Sequence, residues 1–212
     1  MNNIHFHCSG LGKVFNRNTI FQDVAIDLKG SQSLVVTGRN GSGKTTLLKI
    51  LAGVLSPTTG TLSLALDGKV IEAGARYQYL GFVAPYLQMY EEFTAEENLR
   101  LSARLRGLRP ASSRYDELLT RVGLGTKKRD FVRTYSSGMK QRLKYACAIL
   151  HGPQVLILDE PTANLDVEGK AIARAVFEEQ RQRGIAIVAT NEPQELAWST
   201  SVINLDMRGQ NE

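Results

Sequence analysis

One segment, Val35-Val36-Thr37-Gly38-Arg39-Asn40-Gly41-Ser42-Gly43-Lys44-Thr45-Thr46, limits the folds open to this chain more than any other. It satisfies the pattern G-x-x-x-x-G-K-[ST], with Gly38, Gly43, Lys44 and Thr45 at the required positions. Ser33 to Thr37 reads as a short buried strand. Thr45 to Gly53 reads as a helix with Leu47, Leu48, Ile50 and Leu51 on its apolar side. Strand, glycine-rich loop and helix together make a phosphate cradle. The glycines let successive backbone N–H groups turn inward, and the helix start adds partial positive charge. The candidate nucleotide contacts are Gly38, Asn40, Gly41, Ser42, Gly43, Lys44, Thr45 and Thr46. Lys44 is expected to reach the β- and γ-phosphates, and the Thr45 hydroxyl to ligate Mg²⁺. A left-handed glycine turn without a ligand is the alternative, and the complete motif in its strand–helix setting argues against it.

A chain of 212 residues suffices for one domain with a sizeable core. Apolar residues at 42% and charged residues at 22% are ordinary for a globular protein. No apolar run nears the roughly 18 residues of a membrane span. Residues 1–10 lack a basic stretch followed by an apolar one, so a cytoplasmic location is expected. The charge of +5 and the pI of about 9.3 permit an anionic partner. The densest basic run, Lys127-Lys128-Arg129, ends at Asp130 and reads as a solvated turn, so no nucleic acid is expected. Cys8 and Cys147 have neither a disulfide framework nor a metal-ligand spacing, and read as small buried side chains.

Ile4, Phe6 and Cys8 alternate with polar residues as in a half-buried strand. Phe15 follows in a polar stretch, and Phe21 to Leu28 alternates again. Thr61 to Leu66, the turn Asp67-Gly68 and Lys69 to Ile71 read as a hairpin. Tyr79 to Ala84 is an apolar strand ended by Pro85. Phe93 to Arg106 reads as an amphipathic helix capped by Thr94, with Leu99, Leu101 and Leu105 inward. Further helices are expected over Arg114 to Val122, Ser136 to His151 and Val167 to Arg183. The apolar runs Val155 to Leu158 and Ile185 to Ala189 are expected as buried strands, and Ser201 to Leu205 as an edge strand. Helix alternating with apolar strand predicts a parallel α/β core sheet, preceded here by antiparallel strands.

The second chemical feature is Val155-Leu156-Ile157-Leu158-Asp159-Glu160. Carboxylates at the C-terminal tip of a core strand stand where open parallel sheets bind ligands. Asp159 is expected to hold Mg²⁺. Glu160 is expected to face the water that attacks a γ-phosphate, as general base or as its positioner. A merely solvated acidic strand end is the alternative, which the accompanying P-loop disfavours.

Tyr135-Ser136-Ser137-Gly138-Met139-Lys140-Gln141-Arg142 resembles the Leu-Ser-Gly-Gly-Gln signature of the ATP-binding cassette (ABC) ATPases. Asn164-Leu165-Asp166, after Glu160-Pro161-Thr162, resembles that family's D-loop. The resemblance covers essentially the whole chain. It implies a P-loop fold with a parallel core sheet, an N-terminal antiparallel β-subdomain and a helical subdomain at about residues 93–135. It also implies a dimer in which each ATP lies between the P-loop of one subunit and Ser136 and Gly138 of the other. Asp166 would stand at that interface. Ser136 as a helix cap, with Gly138 behind it, offers a hydroxyl and free N–H groups to phosphate; a plain helix cap is the alternative.

Four departures from the family pattern, at five positions, stand out. Ser137 and Met139 replace the signature's first Gly and its Gln. Asn191 stands where the family has a switch His; its amide can hydrogen-bond phosphate but carries no titratable proton. Pro85 falls where the family has a Gln that serves metal and water. Gln88 is either its substitute or an ordinary surface amide. Phe15 stands for the aromatic that stacks on adenine, or else is a core contact.

The resemblance therefore implies an ATPase subunit of a transporter, peripheral on the inner face of the membrane. Its partners would be a second ATPase subunit and an integral membrane subunit docking near Pro85 to Glu92. In general pattern the chain resembles short bacterial exporter ATPases, such as the haem-exporter ATPase of cytochrome c maturation. A nucleotide-gated binding module with marginal hydrolysis is the runner-up, and a DNA-repair or translation ATPase fits the length poorly.

Overall fold

The computed structural model describes residues 3–199 and 201–207. The chain opens with two long antiparallel strands, β1 (Ile4–Phe15) and β2 (Asn18–Lys29). Asn16 and Arg17 between them both have positive φ, the condition for a tight two-residue hairpin turn. β3 (Ser33–Thr37) is followed by the glycine loop and α1 (Lys44–Leu51). β4 (Thr59–Leu66) and β5 (Lys69–Val70) form the hairpin expected from Asp67-Gly68, again with positive φ at both turn residues. Then come β6 (Leu80–Val83), α2 (Ala95–Leu105), α3 (Ser112–Arg121) and α4 (Ser137–Ile149). The chain continues with β7 (Val155–Asp159), α5 (Val167–Arg183), β8 (Ile185–Ala189), α6 (Pro193–Leu196) and β9 (Val202–Asn204).

The strands form two sheets, an antiparallel one in the order β2-β1-β4-β5 and a parallel one in the order β6-β7-β8-β3-β9. Both sheets, with their helices, match the expected P-loop ABC fold. The parallel strands read as continuous apolar runs because both faces are covered. Leu34, Val36, Val155 and Ile157 pack with Phe6, Phe21, Leu47 and Leu51 on the face of the antiparallel sheet and α1. Val35, Leu156 and Leu158 pack with Leu143, Ala146, Val176 and Phe177 on the face of α4 and α5. Parallel register aligns Val36 with Ala189 and Asp159 with Ala189. The loops after β3, β7 and β8 therefore leave the sheet at one edge, which puts the glycine loop, Asp159-Glu160 and Thr190-Asn191 side by side.

Three local expectations are corrected. Leu105 is 71% exposed, because α2 buries Ala95, Asn98, Leu99 and Ala103 instead. Asn98 belongs to that face because its amide accepts from Tyr90 N–H (2.9 Å) and donates to the Tyr90 and Thr94 carbonyls (2.9 Å each). Phe15 is the last residue of β1, paired with Asn18, and not part of an irregular stretch. Cys8 is buried as expected, whereas Cys147 is only partly covered, its sulfur 3.9 Å from that of Met89.

Candidate functional site

Gly38, Gly41 and Gly43 all have positive φ (146°, 86° and 98°), so the loop's path suits glycine at each. At Gly38 a Cβ would also lie 2.5 Å from Ser42 Oγ, and at Gly43 2.6 Å from Ile20 Cγ2. The loop is tethered from the far end of the chain: Asp206 accepts two hydrogen bonds from Arg39 N–H, at 3.0 and 3.1 Å. The Lys44 ammonium is buried and donates to the Gly38 carbonyl (2.7 Å) and, more weakly, to that of Arg39 (3.3 Å). Ser42 Oγ is buried without a hydrogen-bond partner among the described residues. A cavity of about 420 Å³ is lined by Phe15, Ile20, Asn40, Gly41, Gly43, Lys44, Thr45, Thr46 and Glu160. The sequence candidates Phe15 and Glu160 thus meet the glycine loop. Phe15, 43% exposed, stands at this cavity with the Lys13 ammonium 4.7 Å from its ring centre.

Asp159 ends β7 almost fully buried, and neither carboxylate oxygen has a complete hydrogen bond within the described residues. Burial pushes its pKa up; the Thr45 hydroxyl and the Lys44 and Lys49 ammonium groups oppose that. Two orphaned buried carboxylate oxygens beside a threonine hydroxyl form an oxygen donor set suited to Mg²⁺. Glu160 adopts a left-handed backbone (φ 46°), with its N–H donating to the Ala189 carbonyl at 2.9 Å. Its pKa is also raised, first by burial and then by the Asp159 and Glu195 carboxylates, against Lys44 and the Asn191 backbone N–H. Asn191 lies between the two motifs: its side-chain nitrogen donates to Asn40 Oδ1 at 2.6 Å. One of its two amide hydrogens is therefore engaged within the loop, and the other remains.

Glu160 also lines a second cavity of about 300 Å³, with Pro85, Gln88, Ser137, Lys140, Lys144 and Asn164 among its walls. Gln88 and Glu160 therefore share one cavity. Lys144 donates to the Ala84 (3.3 Å) and Pro85 (3.0 Å) carbonyls and ties this loop to α4. Ser136 caps α4 by accepting from Met139 N–H (3.2 Å). A Cβ on Gly138 would lie 3.7 Å from the Asn164 carbonyl, so the signature turn abuts the D-loop. Asp166 lines neither cavity. Its Oδ1 accepts from Gly169 N–H (2.8 Å) as the N-cap of α5.

Several residues of this region escape sequence reasoning. Asp206 reaches Arg39 from 167 positions away. Glu195 is buried and receives the Thr162 hydroxyl, and its Oε2 has no partner among the described residues. Tyr86, beside Pro85, lays its ring 4.2 Å from the Lys49 ammonium, and its pKa is pushed up to about 12 by burial and by Asp159. Lys49 lies five residues beyond Lys44, about 1.4 turns along α1 and outside the glycine-loop motif. No local pattern marks Tyr86, Glu195 or Asp206.

The profile of the family described as "ABC transporter" matches residues 21–163. The uncharacterised ABC transporter ATP-binding protein YdbJ of Bacillus subtilis (strain 168) is 37% identical over 163 residues, covering 77% of this chain and 53% of that protein. The chain likewise spans only about half to three-fifths of the length of four further relatives from Bacillus and Streptomyces. The lipoprotein-releasing system ATP-binding protein LolD of Shewanella denitrificans is 32% identical, covering 89% of this chain and 86% of that protein. Among solved structures, a dimeric ATP-binding cassette in a post-hydrolysis state with ADP and Pi superposes with a TM-score of 0.82. It is 20% identical and covers 94% of this chain and 93% of its own, a likeness of fold. With the glycine loop, Asp159-Glu160 and the capped signature helix brought to one edge of the sheet, this chain belongs to the ABC transporter family as an ATP-binding domain.

Proposed function

We propose that residues 1–212 form one nucleotide-binding domain, with a helical subdomain at about 93–135, that binds and hydrolyses ATP to drive a separate membrane subunit. The observation that carries this reading is Glu160, a carboxylate of raised pKa standing between the glycine-loop cavity and the signature cavity. In this reading Lys44 leaves the Gly38 and Arg39 carbonyls for the β- and γ-phosphates, and Phe15 stacks on the adenine. Thr45 and Asp159 would hold Mg²⁺, which supplies charge neutralisation to the phosphates. Glu160 orients the attacking water and draws its proton. Asn191 holds Asn40 with one amide hydrogen and offers the other to the γ-phosphate. Gln88 faces the water side from the second cavity. Ser136 and Gly138 bind the γ-phosphate of a second ATPase subunit, and Asp166 sets the D-loop by capping α5. Tyr90, 58% exposed and stacked on Phe93 (5.5 Å), supplies an apolar surface for the membrane subunit. That subunit would keep the chain at the cytoplasmic face of the membrane. A haem or other small-molecule export role rests on the sequence pattern alone, and of the two relatives named above one is a lipoprotein-release protein.

Turnover of purified protein tests the assignment. Glu160→Gln is expected to lower ATP hydrolysis by about a hundredfold or more while retaining nucleotide binding. Unchanged turnover would remove Glu160 from the mechanism. The reading as a nucleotide-gated module draws on Asn191 and Pro85; wild-type turnover at the level of Glu160→Gln would select it.

A further inference from the structure

The outer face of the antiparallel sheet carries a side-chain cluster unconnected with nucleotide. β1 places Ile4, Phe6 and Cys8 in the core, so His5 and His7 stand on the opposite face. On β2, Asp27 is registered directly across from His7, and Lys29 across from His5. On β4, the residues opposite His7 and His5 are Ser63 and Ala65, too small to cover either ring. Asp27 Oδ1 contacts His5 Nε2 and lies 3.3 Å from His7 Nδ1. One ligand atom from each of the three residues falls within 4.8 Å of the others. Phe15, at the nucleotide end of β1, is eight residues beyond His7, about 26 Å along an extended strand.

We propose that His5, His7 and Asp27 bind a divalent transition-metal ion of the zinc class on the surface of this sheet. Two imidazoles and a carboxylate are borderline ligands that favour such ions over Mg²⁺. Bonds of about 2.0–2.1 Å in a tetrahedron set ligand atoms about 3.3 Å apart, which the His7–Asp27 separation already meets. The His5 and His7 rings close the remaining difference by side-chain rotation, and solvent supplies the fourth position. Lys29 Nζ, 3.3 Å from Asp27 Oδ2, holds the other carboxylate oxygen and leaves Oδ1 to the metal. The ion would clamp β1 to β2 across their register.

Untagged full-length protein, titrated with Zn²⁺ in millimolar Mg²⁺ and followed by calorimetry, should bind one ion per chain. Co²⁺ should give the visible absorption of a tetrahedral site. His5→Gln, His7→Gln and Asp27→Asn are each expected to weaken binding by about tenfold or more. His151→Gln, which changes the one other histidine, should leave it intact. Zn²⁺ should raise the Tm of the wild type and not that of the double variant His5→Gln/His7→Gln. All five variants should keep the Mg²⁺-ATP turnover of the wild type, which reports that they fold. Absence of one-to-one binding overturns the proposal, and so does binding that survives the double variant, because the ion would then sit on other groups.

Discussion

Glu160 is the residue where chemistry and backbone conflict. A non-glycine residue in the left-handed region costs about 1 kcal/mol or more, and such positions persist where function holds them. Glu160→Gly should therefore be about 1 kcal/mol more stable than Glu160→Ala towards urea, with both variants inactive. Equal midpoints would show that no strain is stored there. Lys44 and Thr45 were legible in the sequence because they belong to a motif whose spacing is set by phosphate geometry, and Asp159 and Glu160 because they end an apolar core strand. The strain was not, since φ is dictated by the Ala189 carbonyl that accepts the Glu160 N–H from the neighbouring strand. Asp206 and Tyr86 were likewise illegible: tertiary folding, and not spacing, brings them to Arg39 and Lys49.

At the level of elements, strands were easier to read than helix faces. Runs such as Val155 to Leu158 can only be buried on both sides of a parallel sheet. The inward side of α2 was misread at Leu105 because it is built from alanines and a latched asparagine, which hydropathy does not single out. The end of α4 carries a pH consequence. His151, just beyond α4, sets Nε2 3.1 Å from the Leu80 carbonyl and leaves Nδ1 buried without a partner among the described residues. Burial, then the Arg106 charge, lowers its pKa from 6.5 to about 4. The unfolded chain thus takes up a proton near pH 6.5 that the folded chain refuses until about pH 4. The stability contribution is full above pH 6.5 and is lost as pH falls, by about 3 kcal/mol in total. Unfolding of His151→Gln, followed in denaturant between pH 7 and pH 4, should lack this decline. A decline identical to that of the wild type would assign the acid sensitivity to other groups.

For the whole molecule, the proposed ATP-bound state is a dimer, which Glu160→Gln should accumulate by blocking hydrolysis. Light scattering of Glu160→Gln with Mg²⁺-ATP should report twice the monomer mass. Adding Ser136→Glu, which sets a carboxylate against the incoming γ-phosphate, should return it to the monomer without lost ATP binding. A persistent dimer would move the interface away from the signature helix. The layered architecture was foreseeable from alternating helices and apolar strands. The meeting of glycine loop, β7 tip and β8 tip at one edge needed the strand order.

Glu160 borders both cavities at once. The partition between the space for this chain's own phosphates and the space beside Gln88 and the signature helix is, at that point, one side chain thick. News of what fills one chamber has no path to travel to reach the other: a single carboxyl is wetted, charged or neutralised from both sides. The neighbours that set its charge and its backbone, Lys44, Asp159, Glu195 and the Ala189 carbonyl, therefore act on both chambers at once.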